Sequence, residues 1–115
     1  MKKRLNVIDL FSGIGGFSLG LRRAGFEIEK HYFSEIEKNA IANYGYNFPK
    51  GRHIGSVTDV RGGEFGRGDI DVITFGSPCQ DFSLSGKRAG LDGERSSLIR
   101  EAIRLVREVR PAVFI

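Results

Sequence analysis

Apolar residues fall along the chain in alternating strand-like and helix-like stretches. Leu5-Asn6-Val7-Ile8-Asp9-Leu10-Phe11 reads as a buried strand that ends at Ser12-Gly13-Ile14-Gly15-Gly16. Phe17, Leu21 and Ala24 then recur at steps of four and three, which predicts a helix with these residues inward, closed by Gly25. Phe26 to Phe33 is a second strand, interrupted by charges, with Glu35 at its C-terminal end. A helix from about Glu35 to Tyr44 would carry Ile36, Ala40 and Tyr44 inward and stop at Gly45 and Pro49. His53 to Val57 suits a short strand, and glycine-rich Arg61 to Gly68 a loop. Ile70 to Phe75 is an apolar run that stops at Gly76, and a polar segment, Gln80 to Gly93, leads out of it. Leu98, Ile99, Ala102, Ile103, Val106 and Val109 give a helical period over about Arg95 to Val109. Ser96 or Ser97 would cap that helix, with Arg104 and Glu108 four apart on its wet face. Ala112 to Ile115 begins a last strand.

The order β-α-β-α-β-β-α-β predicts an α/β fold with a mostly parallel, twisted sheet covered on both faces. A final apolar strand without a following helix leaves an edge and a face open, so the chain is expected to be cut short.

Composition narrows the class. At 115 residues the chain is at most one small domain. No apolar run approaches the roughly 20 residues of a membrane helix, and the basic N-terminus lacks the apolar core of a secretory signal. A single cysteine forms no internal disulfide and no multi-cysteine metal site, and no metal is expected. A free thiol in a reducing, cytoplasmic compartment follows. The net charge of +4 suits an anionic partner such as DNA, though only weakly.

Two clusters carry candidate chemistry. In the first, a strand runs into Gly13, Gly15 and Gly16 and then a helix. Glycines let the backbone turn tightly and approach a ligand, and the helix start offers unpaired N–H groups. Glu35, about twenty residues on at a strand tip, is placed to hydrogen-bond a ribose diol. The turn lacks the third glycine of the dinucleotide fingerprint, because Ser18 stands there. In the second cluster, Phe75-Gly76-Ser77-Pro78-Cys79-Gln80-Asp81-Phe82-Ser83 sets the lone cysteine at the end of an apolar run. A thiol at the C-terminal tip of a strand lies where open α/β sheets bind ligands.

Together these clusters resemble a known family. Asp9-Leu10-Phe11-Ser12-Gly13-Ile14-Gly15-Gly16-Phe17, with Gly20-Leu21 and Ala24-Gly25, is similar to the first motif of the DNA cytosine-5 methyltransferases. Gly76 to Ser83 resembles their Pro-Cys-Gln motif. Ser85-Gly86-Lys87, Gly90-Leu91 and Arg95-Ser96-Ser97-Leu98 resemble the mobile loop behind it. The likeness covers nearly the whole chain.

The resemblance implies a Rossmann-like, S-adenosylmethionine-dependent methyltransferase fold, with residues 1–115 as the N-terminal part of one catalytic domain. S-adenosylmethionine is the implied cofactor. Phe11, Gly13, Gly15, Gly16 and Pro78 would line it, Glu35 would hold the ribose hydroxyls, Ile36 would face adenine and Val57 its edge. Ser56 departs from the family's usual acid, and Asp59 is three residues out of register. Cys79 is the implied nucleophile, adding to C6 of a cytosine flipped out of the duplex. Gln80, Ser83, Ser85, Lys87, Arg88 and Arg95 are the implied contacts to double-stranded DNA.

The family's Glu-Asn-Val motif, recognition domain and final helix lie beyond Ile115. The parent enzyme is expected in restriction-modification, in a prokaryotic or phage-host cytoplasm. The chain alone is expected to be inactive and to need a C-terminal half. Two other readings stay open: a non-catalytic or split subunit that needs a second chain, and a nucleotide-binding dehydrogenase-like domain, against which Pro78-Cys79-Gln80 argues.

Overall fold

The computed structural model describes residues 4–11, 15–66, 68–75 and 88–115, with backbone only for 88–96. Its elements are β1 (Arg4–Leu10), α1 (Gly16–Arg23), β2 (Glu27–Ser34), α2 (Lys38–Asn47), β3 (Arg52–His53), β4 (Val72–Phe75), α3 (Arg88–Val109) and β5 (Val113–Phe114). Two 3₁₀ turns, Val57–Asp59 and Gly62–Glu64, connect β3 to β4. The five strands form one sheet in the order β3-β2-β1-β4-β5, and all four pairings are parallel. The expected α/β order is therefore present element for element. Among the described residues, no helix is long and apolar enough to cross a membrane.

β1 sits at the centre because its residues are apolar on both faces, as a strand covered on both sides must be. Successive side chains alternate. Ile8 and Leu10 point to one face, where they pack with Ile73 against Ala102, Leu105 and Val109 of α3. Val7 points to the other, with Leu5 and Val72 under Leu21 of α1. On that same face Phe33 packs under Tyr44 and Phe48.

β2 carries one irregularity. Leu5 pairs with Ile28, but Val7 pairs with His31, so β2 holds an extra residue. Asn6 secures the bulge: its Oδ1 accepts the Lys30 N–H at 3.1 Å, and its amide donates to the Asp69 carbonyl at 2.7 Å. The extra residue resets the alternation and turns His31 inward, where it is buried.

Several boundaries differ from the sequence expectations, each for a local reason. The inner face of α1 is Ser18 and Leu21; Phe17 is 42% exposed and Ala24 is exposed, because Ser18 docks the helix by hydrogen bonds. Gly25 does close α1: at φ 99° it bonds Arg22, while the Phe26 N–H reaches the Leu21 carbonyl. α2 starts three residues later than expected, since the Glu37 side chain accepts the Ala40 N–H and caps it; Ile36 stays outside the helix, and Gly45 lies within it. Of the expected strand from His53 to Val57 only His53 pairs, with Arg52 before it, and Val57 belongs to a 3₁₀ turn.

α3 begins at Arg88, so the expected loop ends earlier and Ser96 and Ser97 are interior positions. Arg104 is not on a wet face. Its Nη2 donates to the carbonyls of Val57 at 3.1 Å and Val60 at 2.9 Å, and its Nη1 to Glu108 at 2.9 Å. Glu108 in turn accepts the Gly62 N–H at 2.7 Å, which holds its carboxyl below the usual range. Position 62 must be glycine, because a Cβ there would overlap the Glu108 side chain.

Leu105 is fully buried between α3 and the sheet. Leu105→Ala should cost about 2–5 kcal/mol in urea denaturation; a loss well under about 1 kcal/mol would mean that this face is not close-packed.

Candidate active site

The candidate site is built where three parallel strands end in one row. Leu10 is in register with Ser34 on one side and with Phe75 on the other. The next residues are Phe11 at the glycine turn, Glu35 beyond β2, and the Gly76–Ser83 segment beyond β4. Connections leave β1 toward β2 and return through β4, so β1 and β4 flank the point where strand order reverses. Such points open a crevice above the sheet.

Phe11 adopts a left-handed φ of 53° at the strand tip, and its ring lies 5.7 Å from that of Phe75. Gly15 caps α1 at φ 91° without any side-chain cap. A Cβ on Gly15 would come within 2.5 Å of the Phe48 ring and 3.0 Å of the Tyr44 ring. A Cβ on Gly16 would meet nothing within 4 Å among the described residues. The Glu35 carboxylate accepts the N–H groups of Ile36 and Glu37, both at 3.0 Å. Its carbonyl meets His53 Nε2 at 2.8 Å, and Ser34 donates to the Gly55 carbonyl, so the β2 tip is tied to β3 and the residues that follow it. Ile36 beside it is 71% exposed.

Val57 is 2% exposed and packs in the core with its carbonyl on Arg104, so its side chain offers no surface to a ligand. Ser56 caps its turn by accepting from Thr58, and Asp59 is exposed. Gly13, Pro78, Cys79, Gln80, Ser83, Ser85 and Lys87 lie outside the described residues. Arg88 and Arg95 lie in α3, without described side chains.

Beneath the glycine turn is a buried polar cluster that sequence reasoning missed. Asp9 is 1% exposed. Its Oδ2 accepts hydrogen bonds from Ser18 of α1 at 2.9 Å and Tyr44 of α2 at 3.0 Å, and its Oδ1 from Thr74 of β4 at 3.1 Å. His31 Nε2 lies 3.1 Å from Ser18 Oγ and closer still to the Tyr44 hydroxyl. Burial raises the Asp9 carboxyl to about 6, against the three hydroxyls that lower it and with a push from Glu35. Burial, and then Arg22, lower His31 to about 4. Burial also pushes the Tyr44 phenol up. The signals in the sequence were an acid inside an apolar strand and a histidine that breaks the alternation of β2.

A family model for C-5 cytosine-specific DNA methylases matches residues 5–115. The chain belongs to the C-5 cytosine-specific DNA methylases. Among these methylases, the type II methyltransferase M.XorII of Xanthomonas oryzae pv. oryzae is 43% identical, over 94% of this chain and 26% of that protein. The type II methyltransferase M.HhaI of Haemophilus parahaemolyticus is 40% identical, over 95% of this chain and 32% of that protein. The orphan methyltransferase M.Rho11sI of Bacillus phage rho11s is 37% identical, over 97% and 22%. The chain thus spans a third or less of these relatives. The crystal structure of the S. pombe Dnmt2 methyltransferase superimposes with a TM-score of 0.66 over 92% of this chain and 30% of that one at 23% identity, a likeness of fold.

The two shifted groups act on stability with opposite signs. The folded pKa of Asp9 is raised, so its contribution is full below the unfolded value of 3.8 and lost as pH rises through about 6. The folded pKa of His31 is lowered, so its contribution is full above 6.5 and lost as pH falls through about 4. The two slopes nearly cancel in this window. In His31→Gln only the Asp9 slope remains, and stability should fall by roughly 1–3 kcal/mol more than in the unsubstituted chain as pH rises across it. Urea denaturation at several pH values checks this; a parallel dependence in both chains would contradict it.

Proposed function

We propose that residues 1–115 are the N-terminal part of the catalytic domain of a DNA cytosine-5 methyltransferase, acting on double-stranded DNA in the cytoplasm as part of restriction-modification. The observation that carries this reading is the row of strand tips. It sets the glycine turn between a carboxylate and the strand that leads into Pro78-Cys79-Gln80. Because the chain spans a third or less of its relatives, DNA methylation belongs to the protein that carries this chain together with a C-terminal part or a second subunit.

The described residues fit S-adenosylmethionine as cofactor. Among the described residues nothing crowds Gly16 at the helix start, Glu35 is a carboxylate positioned by backbone N–H groups for a ribose diol, and Ile36 exposes an apolar side chain beside it for a purine ring. Phe11, Gly13, Gly15 and Pro78 complete the proposed lining, while Val57, buried in the core, is not part of it. When bound, S-adenosylmethionine supplies an electrophilic methyl group.

Cys79 is the proposed nucleophile. Its thiolate adds to C6 of the flipped cytosine, and the electron pair displaced from the C5–C6 bond makes C5 nucleophilic. Once C5 carries the new methyl group, its proton leaves to a base, the C6–Sγ bond breaks and the thiolate departs. A thiol with pKa near ~8.5 is mostly protonated at neutral pH, so the site must favour the thiolate. Gln80, Ser83, Ser85, Lys87, Arg88 and Arg95 are proposed to hold the DNA. The cations meet phosphates and contribute affinity that falls with salt.

Calorimetry with S-adenosylhomocysteine tests the cofactor site. Glu35→Gln should weaken binding by about 10-fold or more, the scale of a lost charged hydrogen bond, while Cys79→Ser leaves it unchanged. In a full-length protein carrying this chain, duplex DNA containing 5-fluorocytosine should become covalently trapped on Cys79. Trapping that persists in Cys79→Ser would remove the nucleophile from the mechanism.

A further inference from the structure

The cluster under the glycine turn holds fewer hydrogens than it has contacts. Five hydrogen-bond contacts link Asp9 Oδ2, Ser18 Oγ, Tyr44 OH and His31 Nε2, with both hydroxyls touching each other, the carboxylate and the imidazole. When Asp9 is ionised, Ser18 and Tyr44 each spend their single hydrogen on Oδ2. Neither hydroxyl can then donate to His31. The 2.9 Å contact between the two hydroxyl oxygens also holds no hydrogen. The remaining contacts are satisfied only if His31 carries its proton on Nε2 and donates to a hydroxyl oxygen.

Now let Asp9 take up a proton at Oδ2. The carboxyl becomes a donor to one hydroxyl oxygen, and a hydroxyl hydrogen is freed to point at Nε2. His31 must then accept there, with its own proton on Nδ1. The polarity of the whole chain of bonds reverses, and the imidazole stays neutral throughout.

We propose that Asp9 and His31 form a coupled proton pair in which the ionisation of Asp9 sets the tautomer of His31, and that Asp9 thereby acts as a positioning residue for the glycine turn. The route to the turn is short. Ser18 lies in the first turn of α1, two residues after Gly16, and the Tyr44 ring packs against Gly15. Thr74 ties the same carboxylate to β4. Among the described residues the groups that face the pair are few. Arg22 of α1 opposes protonation of His31, and Glu35 at the tip of β2 opposes ionisation of Asp9. Tyr44 is the titratable group from α2, and β4 contributes only the Thr74 hydroxyl. Burial of both partners keeps the exchange inside the fold, with Asp9 titrating well above the pH at which His31 would become charged.

Imidazole nitrogen NMR on the 115-residue chain decides the matter. The chain has two histidines, so His53→Gln assigns the His31 signals. The expected result is a neutral His31 from pH 8 to about pH 5, with Nε2–H above the Asp9 midpoint and Nδ1–H below it. The Asp9 carboxyl carbon should titrate with the same midpoint, a measurement that needs no substitution. Asp9→Asn should fix one tautomer at all these pH values. A single tautomer across the Asp9 titration, or an imidazolium forming with an ordinary midpoint near about 6.5, would overturn the proposal.

The effect on the glycine turn rests on the cofactor reading above. S-adenosylhomocysteine affinity should differ by about 3-fold or more between pH 5.5 and 7.5, and this difference should vanish in Asp9→Asn. Equal affinity at both pH values, with the tautomer exchange intact, would refute the positioning role. Absence of binding at either pH would sink the cofactor reading, while the NMR titration would still decide the proton pair.

Discussion

A carboxylate buried to 1% exposure is costly unless its oxygens are satisfied, and the way Asp9 is satisfied organises this molecule. Its three hydroxyl donors come from three different elements: α1, α2 and β4. One side chain on the central strand therefore holds both helices of one face and the neighbouring strand in fixed relation. Apolar packing alone would not set that relation so narrowly, because oily surfaces slide where directed hydrogen bonds do not. Gly15, which caps α1, lies against the Tyr44 ring that reaches this carboxylate.

The large features of the fold were legible because they follow from periodicity. β1, β4 and α3 announce themselves by apolar runs and a helical repeat, and parallel pairing follows from their alternation along the chain. What the pattern hid was polar. Glu37 moved the start of α2 by supplying a cap that hydrophobic spacing does not encode. Arg104 looked like a solvated partner of Glu108, yet it spends its donors on the carbonyls of Val57 and Val60. Val57 looked like a ligand contact by its place in the motif order, yet it is core. Ser18 appeared only as a missing glycine, and its hydroxyl proves to dock α1.

The Arg104 contacts also join parts that are far apart in sequence. The turn after β3 lies on the Glu35 side of the sheet, while α3 follows the strand that leads to Cys79. Arg104 and Glu108 fasten this turn to that helix through backbone groups of Val57, Val60 and Gly62. The two sides of the crevice are thus connected twice: through the sheet by β1, and over its other face by an arginine and a glutamate.

The bulge in β2 has an evolutionary corollary. Downstream of it the pairing of β1 with β2 is regular through Leu10 and Ser34, so the strand tips keep their row whatever happens near Asn6. Val7 with His31 is the first pair of that regular stretch, so the inward imidazole and the strand tips share one register. A length change at the start of β2 can thereby be absorbed at the bulge, sparing both the crevice and the basic neighbour of the central acid.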